Sequence, residues 1–256
     1  MIQRIINRAV NWASPWVLGQ HPYNTIFAFN YFNVGHIRRF IARKAAELPG
    51  DTLVILDVGG GQSPYHPFFA PRCARYIVVD VPDCLPKEPK AGIELMPGTA
   101  EKIPLPDASV DVVLCNQVLE HVTDPKASMR EIHRVLNPNG VFLGSVPHVS
   151  PVHLEPYDFR RYTDLGLQQL LSRHGFTCTE IDPSGGVFSA AALLVTTDWM
   201  LSRRKPGASQ KFSLARSLFL SPLVGGINLM ALMLDWLIPN SGRSAANLCW
   251  SAVKPP

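Results

Sequence analysis

Short apolar runs rich in β-branched residues recur along the middle of the chain, and longer stretches of mixed polarity separate them. Runs of this kind are typical of strands that are buried on both faces of a parallel sheet. The stretches between them would carry crossover helices or loops. The predicted strands are residues 53–56, 76–79, 93–96, 110–115, 141–146 and 176–181. This alternation predicts an α/β fold.

Apolar residues at helical spacing predict the helices. Residues 36–48 combine an apolar stripe with a basic face and end at a Pro-Gly pair. Asp124 suits an N-cap and Pro125 the first helical position, and a further helix is expected at residues 164–174. Prolines crowd the two stretches that follow the first and second strands, so short or broken helices or loops are expected there.

The first predicted strand runs directly into a glycine-rich turn. Asp57 ends the strand and Gly59, Gly60 and Gly61 follow, and such glycines let the backbone turn sharply and approach a ligand closely. The second strand ends in Asp80, about 20 residues on, where a nucleotide-binding βαβ unit places the acid that binds ribose hydroxyls. A glycine turn also fits an ordinary strand-to-helix connection, but the paired acid favours a nucleotide site.

The stretch from residue 98 to 140 reads GTAEKIPLPDASVDVVLCNQVLEHVTDPKASMREIHRVLNPNG. Together with the glycine turn and Asp80, it resembles class I S-adenosylmethionine-dependent methyltransferases of the small-molecule, ubiquinone-methyltransferase-like type, over residues 53–176. The resemblance implies a Rossmann-like seven-stranded sheet with helices on both faces and an antiparallel seventh strand beside the sixth. It also implies S-adenosyl-L-methionine as the cofactor.

The resemblance assigns roles to residues at the strand ends. The implied cofactor contacts are Asp57, Gly59, Gly60 and Gly61 at the methionine end, Asp80 at the ribose, Ala100 and Glu101 at the adenine, and Asn116, with His121, at the methyl group. The family commonly has Asp where Thr99 stands. Threonine accepts a hydrogen bond without charge, so the adenine contact is assigned to the segment rather than to one side chain.

A loop dense in His, Tyr, Arg and carboxylate follows the fifth strand, where the family lines its acceptor pocket. His148 and His153 are the first candidates for a general base and His121 the third, although each also fits a structural histidine. The candidate substrate contacts are Glu155, Tyr157, Arg160 and Arg161. Either arginine could instead pair with Asp158. No metal is expected, because nothing in the sequence fixes a ligand geometry.

About sixty residues separate the sixth strand from the best candidate for the seventh, residues 247–253. They include an apolar run at 187–195, a basic cluster at 203–205 and an uncharged run at 217–234. Pro222, Gly225, Gly226 and Asn228 are expected to interrupt the uncharged run. A membrane span is rejected, because it would separate the seventh strand from its sheet. A helical pair in the lipid headgroup region, a lid over the acceptor pocket and a helical dimer interface remain open.

These elements predict four segments. They are an N-terminal helical segment (1–50), a methyltransferase core (51–183), a hydrophobic basic insertion (184–243) and the final strand of the core (244–256). Within residues 1–20, a helix packed on the domain and an interfacial helix with aromatic anchors are equal alternatives.

The formal net charge of +4 is the sum of unevenly distributed charges along the chain. Residues 1–50 carry a net charge of +5, residues 51–200 of −7 and residues 201–256 of +6. Basic flanks that are also rich in Trp, Phe, Leu and Ile favour contact with a membrane surface over nucleic acid. The 5 scattered cysteines and the lack of an evident secretory signal predict a cytoplasmic protein, with peripheral membrane contact left open.

The sequence therefore favours an enzyme that transfers a methyl group to a small acceptor, either lipid-like or carried on a lipid. Two alternatives remain open. One is a catalytically silent binding module that keeps the cofactor fold. The other is a nicotinamide-dependent dehydrogenase, although Pro64 stands where its fingerprint requires a third glycine. An oligomer formed through the insertion is also left open.

Overall fold

The computed structural model describes residues 24–200, 214–239, 241 and 243–256. Of residues 214 and 215 it describes the backbone only. The strands are β1 (Leu53–Val58), β2 (Cys73–Asp80), β3 (Ile93–Pro97), β4 (Val110–Asn116), β5 (Leu136–Pro147), β6 (Thr177–Pro183) and β7 (Asn247–Val253). The helices are α1 (Tyr31–Glu47), α2 (His66–Phe69), α3 (Pro125–Val135), α4 (Asp164–Arg173), α5 (Val187–Met200) and α6 (Leu214–Leu237). The expectations for residues 1–20 and for the basic cluster at 203–205 lie outside the described residues.

The seven strands form one sheet in the order β3-β2-β1-β4-β5-β7-β6. The five strands from β3 to β5 pair in parallel, and the order reverses between β1 and β4. Open α/β sheets bind ligands at the carboxyl ends of the strands beside such a reversal. The α/β fold and the predicted strand sequence are therefore confirmed.

The last strand runs antiparallel to both neighbours. Lys254 exchanges backbone hydrogen bonds with residues 139 and 140 beyond one end of β7, and Ala246 accepts from His148 beyond the other. On the other side, Ala246 donates to Ser184, and the Thr179 hydroxyl donates to the Ser251 carbonyl. On both sides, residues later in β7 pair with residues earlier in the neighbouring strand, which is antiparallel pairing. The predicted seventh strand is confirmed within its stated bounds.

Two predicted boundaries are corrected. β5 begins at Leu136 rather than at 141, because the Asn-Pro-Asn-Gly segment forms an irregularity within the strand and shifts its register against β4. Asn139 has a positive φ of 64° there, a conformation that Asn tolerates. α1 begins at Tyr31, five residues before the predicted start at residue 36.

The expected shortening of the helix after the glycine turn is confirmed. α2 has only 4 residues and continues into a single 3₁₀ turn. Another 3₁₀ turn, Pro82–Cys84, takes the place of a helix after β2. At α3, Asp124 caps the helix by accepting from the Lys126 and Ala127 backbone amides, and Pro125 occupies the first position as predicted.

The chain folds into two compact units. The sheet unit comprises residues 37–147, 159–182 and 248–256, and the insertion unit comprises the described parts of residues 1–36, 148–158 and 183–247. In the sheet unit, Ile37, Phe40 and Ile41 of α1 are buried in one core with residues of β1, β2 and β4. The basic face of α1 forms ion pairs from Arg43 and Lys44 to Glu180 of β6.

The insertion unit joins the segment before α1 to the two apolar helices. Ser184 Oγ donates to the Phe32 carbonyl at 2.5 Å, and Thr196 Oγ1 donates to the Phe29 carbonyl at 2.9 Å. Asn228 Nδ2 donates to the carbonyl of Ile26 at 2.7 Å. These buried polar side chains give hydrogen-bond partners to backbone carbonyls within residues 26–32, which include the start of α1.

The expectation that the uncharged run is interrupted is wrong: α6 is one helix of 24 residues with Pro222 inside it. Pro222 cannot donate to the Leu218 carbonyl, but the Ser221 hydroxyl donates to that oxygen at 3.1 Å. Gly225 gives the Phe27 ring room, because a Cβ there would lie 2.5 Å from the ring. Two of the residues expected to break the helix, Gly225 and Asn228, therefore serve its packing.

Candidate functional site

The glycine turn lies directly above the Asp57 carboxylate. A Cβ on Gly60 would come within 2.6 Å of Asp57 Cγ, so only glycine fits there. Asp57 is 1% exposed and accepts a hydrogen bond from the Tyr76 hydroxyl at 2.7 Å. Burial raises the pKa of Asp57 to about 7, and the Tyr76 hydrogen bond opposes part of that rise. The Asp57 side chain thus supports the turn from within the sheet unit.

Asp80 links the end of β2 to the same turn. Its Oδ2 accepts from the Gly61 backbone amide at 3.1 Å, and its Oδ1 accepts from the Val81 amide at 2.7 Å. Burial raises the pKa of this half-buried carboxyl, while the two amides act in the opposite direction. The nearest atom to a Cβ on Gly61 would be Asp80 Oδ2 at 4.0 Å, so there is open space over this glycine.

Asn116 ends β4 on the other side of β1. Its Oδ1 accepts from the Ser145 hydroxyl at 3.0 Å. Its Nδ2 is buried, and among the described residues it has no hydrogen-bond partner. A buried donor without a partner is costly, and a ligand acceptor would satisfy it.

The predicted adenine segment lies after β3. Ala100 is buried. Glu101 Oε1 accepts from the backbone amides of Thr123 and Asp124, at 2.8 and 3.0 Å. The Glu101 carboxylate therefore fixes this segment to the residues that precede α3.

Three further candidates belong to the sheet unit. His121 Nε2 lies 3.7 Å from an oxygen of buried Glu120. The Arg160 guanidinium donates to the carbonyls of Val122 and Thr123, and Arg161 donates to the Arg160 carbonyl. The Arg160 contacts hold the loop after β4.

The remaining four candidates belong to the insertion unit. His148 Nε2 lies 3.1 Å from the Arg243 carbonyl. The His153 amide donates to Asp158 Oδ2 at 2.8 Å, and the same oxygen lies 3.3 Å from His153 Nδ1. Glu155 is half-buried and Tyr157 is mostly exposed. Asp158 thus pairs with His153.

Two contributing residues were missed from sequence. Tyr76 lies two positions before the residue that pairs with Asp57, so the alternation of the strand places both side chains on one face. The tyrosine hydroxyl in the otherwise aliphatic run 76–79 was the sequence signal that could have identified Tyr76. Lys90, in the loop before β3, donates to the Gln62 carbonyl at 2.6 Å, and no local pattern marks that contact.

The residues at these strand ends fit S-adenosylmethionine. A half-buried carboxylate ends β2, open space lies over Gly61, and an unsatisfied amide donor ends β4. This combination matches a ligand that carries ribose hydroxyls and hydrogen-bond acceptors.

Comparison with known proteins agrees with this fit. A family model described as a methyltransferase domain matches residues 56–144. A probable S-adenosylmethionine-dependent methyltransferase of Mycolicibacterium smegmatis is 34% identical over 148 residues, which are 54% of this chain and 56% of that protein. A ubiquinone/menaquinone biosynthesis C-methyltransferase of Rubrivivax gelatinosus is 36% identical over 110 residues, which are 41% of this chain and 43% of that protein. The chain thus spans about half of the length of these relatives.

Solved structures share the fold. The Bacillus subtilis YcgJ protein superimposes with a TM-score of 0.53 at 16% identity, over 87% of this chain and 99% of that one. The 1,6-didemethyltoxoflavin-N1-methyltransferase of Burkholderia thailandensis, solved with 1,6-didemethyltoxoflavin and S-adenosylhomocysteine, gives 0.54 at 17% identity, over 98% of this chain and 89% of that one. At such identities the likeness concerns the fold alone.

Residues 56–144 thus match a methyltransferase domain, and the α/β sheet has the fold of solved methyltransferase structures. The chain is similar to S-adenosylmethionine-dependent methyltransferases over about half of its length. These comparisons support the family, the enzyme class and the cofactor predicted from sequence. The roles of individual site residues stay predictions.

Proposed function

We propose that this protein transfers the methyl group of S-adenosylmethionine to a small acceptor that is lipid-like or carried on a lipid. The observation that carries the proposal is the buried Asn116 Nδ2, which has no partner among the described residues and ends a strand beside the sheet reversal. When bound, the cofactor supplies an electrophilic methyl group on a sulfonium, so the protein's main task is to position the acceptor and exclude water.

The residues of the sheet unit would bind the cofactor. The Asp80 carboxylate accepts from ribose hydroxyls while the Gly61 amide holds it in place. Gly60 brings the backbone close to the ligand, and Asp57 supports the turn from below. Asn116 Nδ2 donates to the ligand, since Oδ1 is already bound by Ser145.

On the acceptor side, we propose His153 as the general base. Asp158 lies against both its backbone amide and its Nδ1, an arrangement that orients an imidazole and stabilises its protonated form. His148 and His121 remain the alternative bases. Glu155, Tyr157 and Arg161 are proposed acceptor contacts, whereas the Arg160 contacts with Val122 and Thr123 favour a structural role.

Two observations support a lipid-like acceptor. One relative is named for ubiquinone and menaquinone biosynthesis. In the insertion unit, Val152, Leu154 and Tyr157 of the histidine-bearing loop are exposed apolar side chains. We also propose a cytoplasmic protein whose membrane contact is peripheral, because a lipid-linked acceptor is reached from the membrane surface.

The test is transfer of tritium from methyl-labelled S-adenosylmethionine to a membrane-lipid extract, with a polar small-molecule extract in parallel. We expect label in the lipid fraction. Asn116→Asp keeps the side-chain volume and an acceptor toward Ser145 but removes the donor, so transfer falls roughly tenfold or more. Gln168→Glu, the same chemical change at an exposed position of α4, is the matched control.

The outcomes separate the alternatives. Label in the polar fraction alone would reject the lipid-like acceptor. Binding of S-adenosylhomocysteine without transfer to either fraction would favour the silent binding module.

A further inference from the structure

α6 carries an apolar surface on its outward side. Phe219 and Trp236 are 84% and 83% exposed. Other exposed apolar residues lie at helical spacing from these two, and the set is Phe219, Leu223, Met230, Met233, Trp236 and Leu237. No charged residue stands between Arg216 and Asp235. We call these six side chains the outward face of α6.

The inward side of the same helix carries the polar groups. Ser217 and Asn228 are buried, and the Asp235 carboxylate accepts from the backbone amides of Gly186, Phe188 and Ser189. Asn228 Nδ2 also donates to the Ala28 carbonyl at 3.1 Å. A helix on the surface of a protein in water has the opposite arrangement. The outward face is therefore adapted to an apolar environment.

The one-sided arrangement fits a helix lying in a membrane interface better than a span. Among the described residues, α6 alone is long and apolar enough for a span, with a mean hydropathy of 1.8 over a window that is 28% buried. However, Ser217, Asn228 and Asp235 are bonded within the insertion unit. An interfacial helix needs only one apolar face.

We propose that the outward face of α6 binds an anionic lipid bilayer. The assignment rests on the peripheral location proposed above, but it does not depend on methyl transfer. Bound in this way, the helix inserts its outward face into the headgroup region while its polar face stays packed on the protein.

Charge decides between a bilayer and a second copy of the chain. Residues 201–256 carry seven Lys or Arg and one acid, and the exposed Arg216 stands at the start of the apolar stretch. A second copy of the chain carries the same net positive charge in this segment, whereas phosphate-bearing lipids offer the opposite charge.

The N-terminal segment adds to this complementarity. Asn228 Nδ2 donates to the carbonyls of Ile26 and Ala28 and so ties residues 26–28 to α6. The sequence of residues 1–23 carries Arg4 and Arg8 and no acid.

The test is flotation of the full chain with phosphatidylcholine vesicles, with and without phosphatidylglycerol, in the absence of cofactor. We expect binding to the anionic vesicles that weakens in high salt. Phe219→Asp and Trp236→Asp should each lower the partition coefficient about tenfold or more. Leu165→Asp places the same charge at another exposed apolar position, 71% exposed on α4, and should bind as the wild type does.

Three results would overturn the proposal. They are a wild-type chain that ignores anionic vesicles, face variants that bind like the wild type, and a Leu165→Asp variant that fails equally. If the chain does not bind vesicles but sediments as a dimer that Phe219→Asp abolishes, the outward face of α6 would be assigned to contact with a second copy.

The affinity of every variant for S-adenosylhomocysteine shows whether that variant is still folded. A chain that binds vesicles but no S-adenosylhomocysteine would refute the methyltransferase proposal and leave the surface standing.

Discussion

Asp57 is the residue on which the geometry of the glycine turn depends. Its carboxylate lies directly beneath Gly60, inside a sheet that gives it one hydroxyl partner, Tyr76. Burial without a cation disfavours the charged form, which is why the pKa rises to about 7. Asp57, which the sequence motif assigns to cofactor binding, thus also restricts position 60 of the turn to glycine.

This pKa predicts a pH dependence of stability. Between the usual carboxyl value of 3.8 and about 7, the folded chain binds a proton that the unfolded chain has released. The contribution is therefore fully present below 3.8 and is lost as the pH rises toward 7. We expect Asp57→Asn to remove roughly 2–4 kcal/mol of this change in the free energy of unfolding with pH, measured by denaturant titration at each pH. Asp83→Asn, at an exposed position after β2, controls for loss of a carboxylate. Parallel profiles for the wild type and Asp57→Asn would contradict the account.

At the scale of elements, α5 and α6 depend on one carboxylate. Burial alone would raise the pKa of Asp235, but hydrogen bonds from the Ser189 hydroxyl and from the Gly186, Ser189 and Phe188 amides hold it below its usual value. Those amides open α5, where an N-terminal dipole favours a negative charge. A residue of α6 therefore caps α5 and fixes how the two helices pack.

We expect Asp235→Ala to destabilise the chain by about 1–3 kcal/mol, because it leaves several backbone donors without an acceptor. Chemical denaturation followed by circular dichroism measures this loss. Asp198→Ala removes an exposed carboxylate of α5 and should change the stability by less than about 0.5 kcal/mol. Equal effects of the two substitutions would show that the cap contributes nothing.

Sequence predicted those elements whose pattern is local. The strands, the short α2 and the cap at Asp124 follow from alternation, proline content and capping chemistry. The continuity of α6 did not follow, because Ser221 compensates for Pro222 and Phe27 packs against Gly225 from a distant part of the chain. The Asp158–His153 pairing likewise depends on a loop conformation that no periodicity encodes.

At the scale of the whole molecule, charge and chemistry are divided along the sequence. The acidic stretch of residues 51–200 contains the residues proposed to bind the cofactor, and the basic stretch of residues 201–256 contains the apolar face proposed to bind an anionic bilayer. Both acids of the site lie in the sheet unit, while the outward face of α6 belongs to the insertion unit. Cofactor binding and surface binding are therefore separable by substitution.

Calorimetric titration with S-adenosylhomocysteine and with NAD tests most directly whether the strand ends around the glycine turn bind S-adenosylmethionine. The wild type and Asp80→Ala are both titrated. We expect the wild type to bind S-adenosylhomocysteine and not NAD. Asp80→Ala should weaken the binding of S-adenosylhomocysteine about tenfold or more, whereas the control Asp83→Ala, at an exposed position, should leave it unchanged. Unchanged affinity in Asp80→Ala, or binding of NAD alone, would contradict the account.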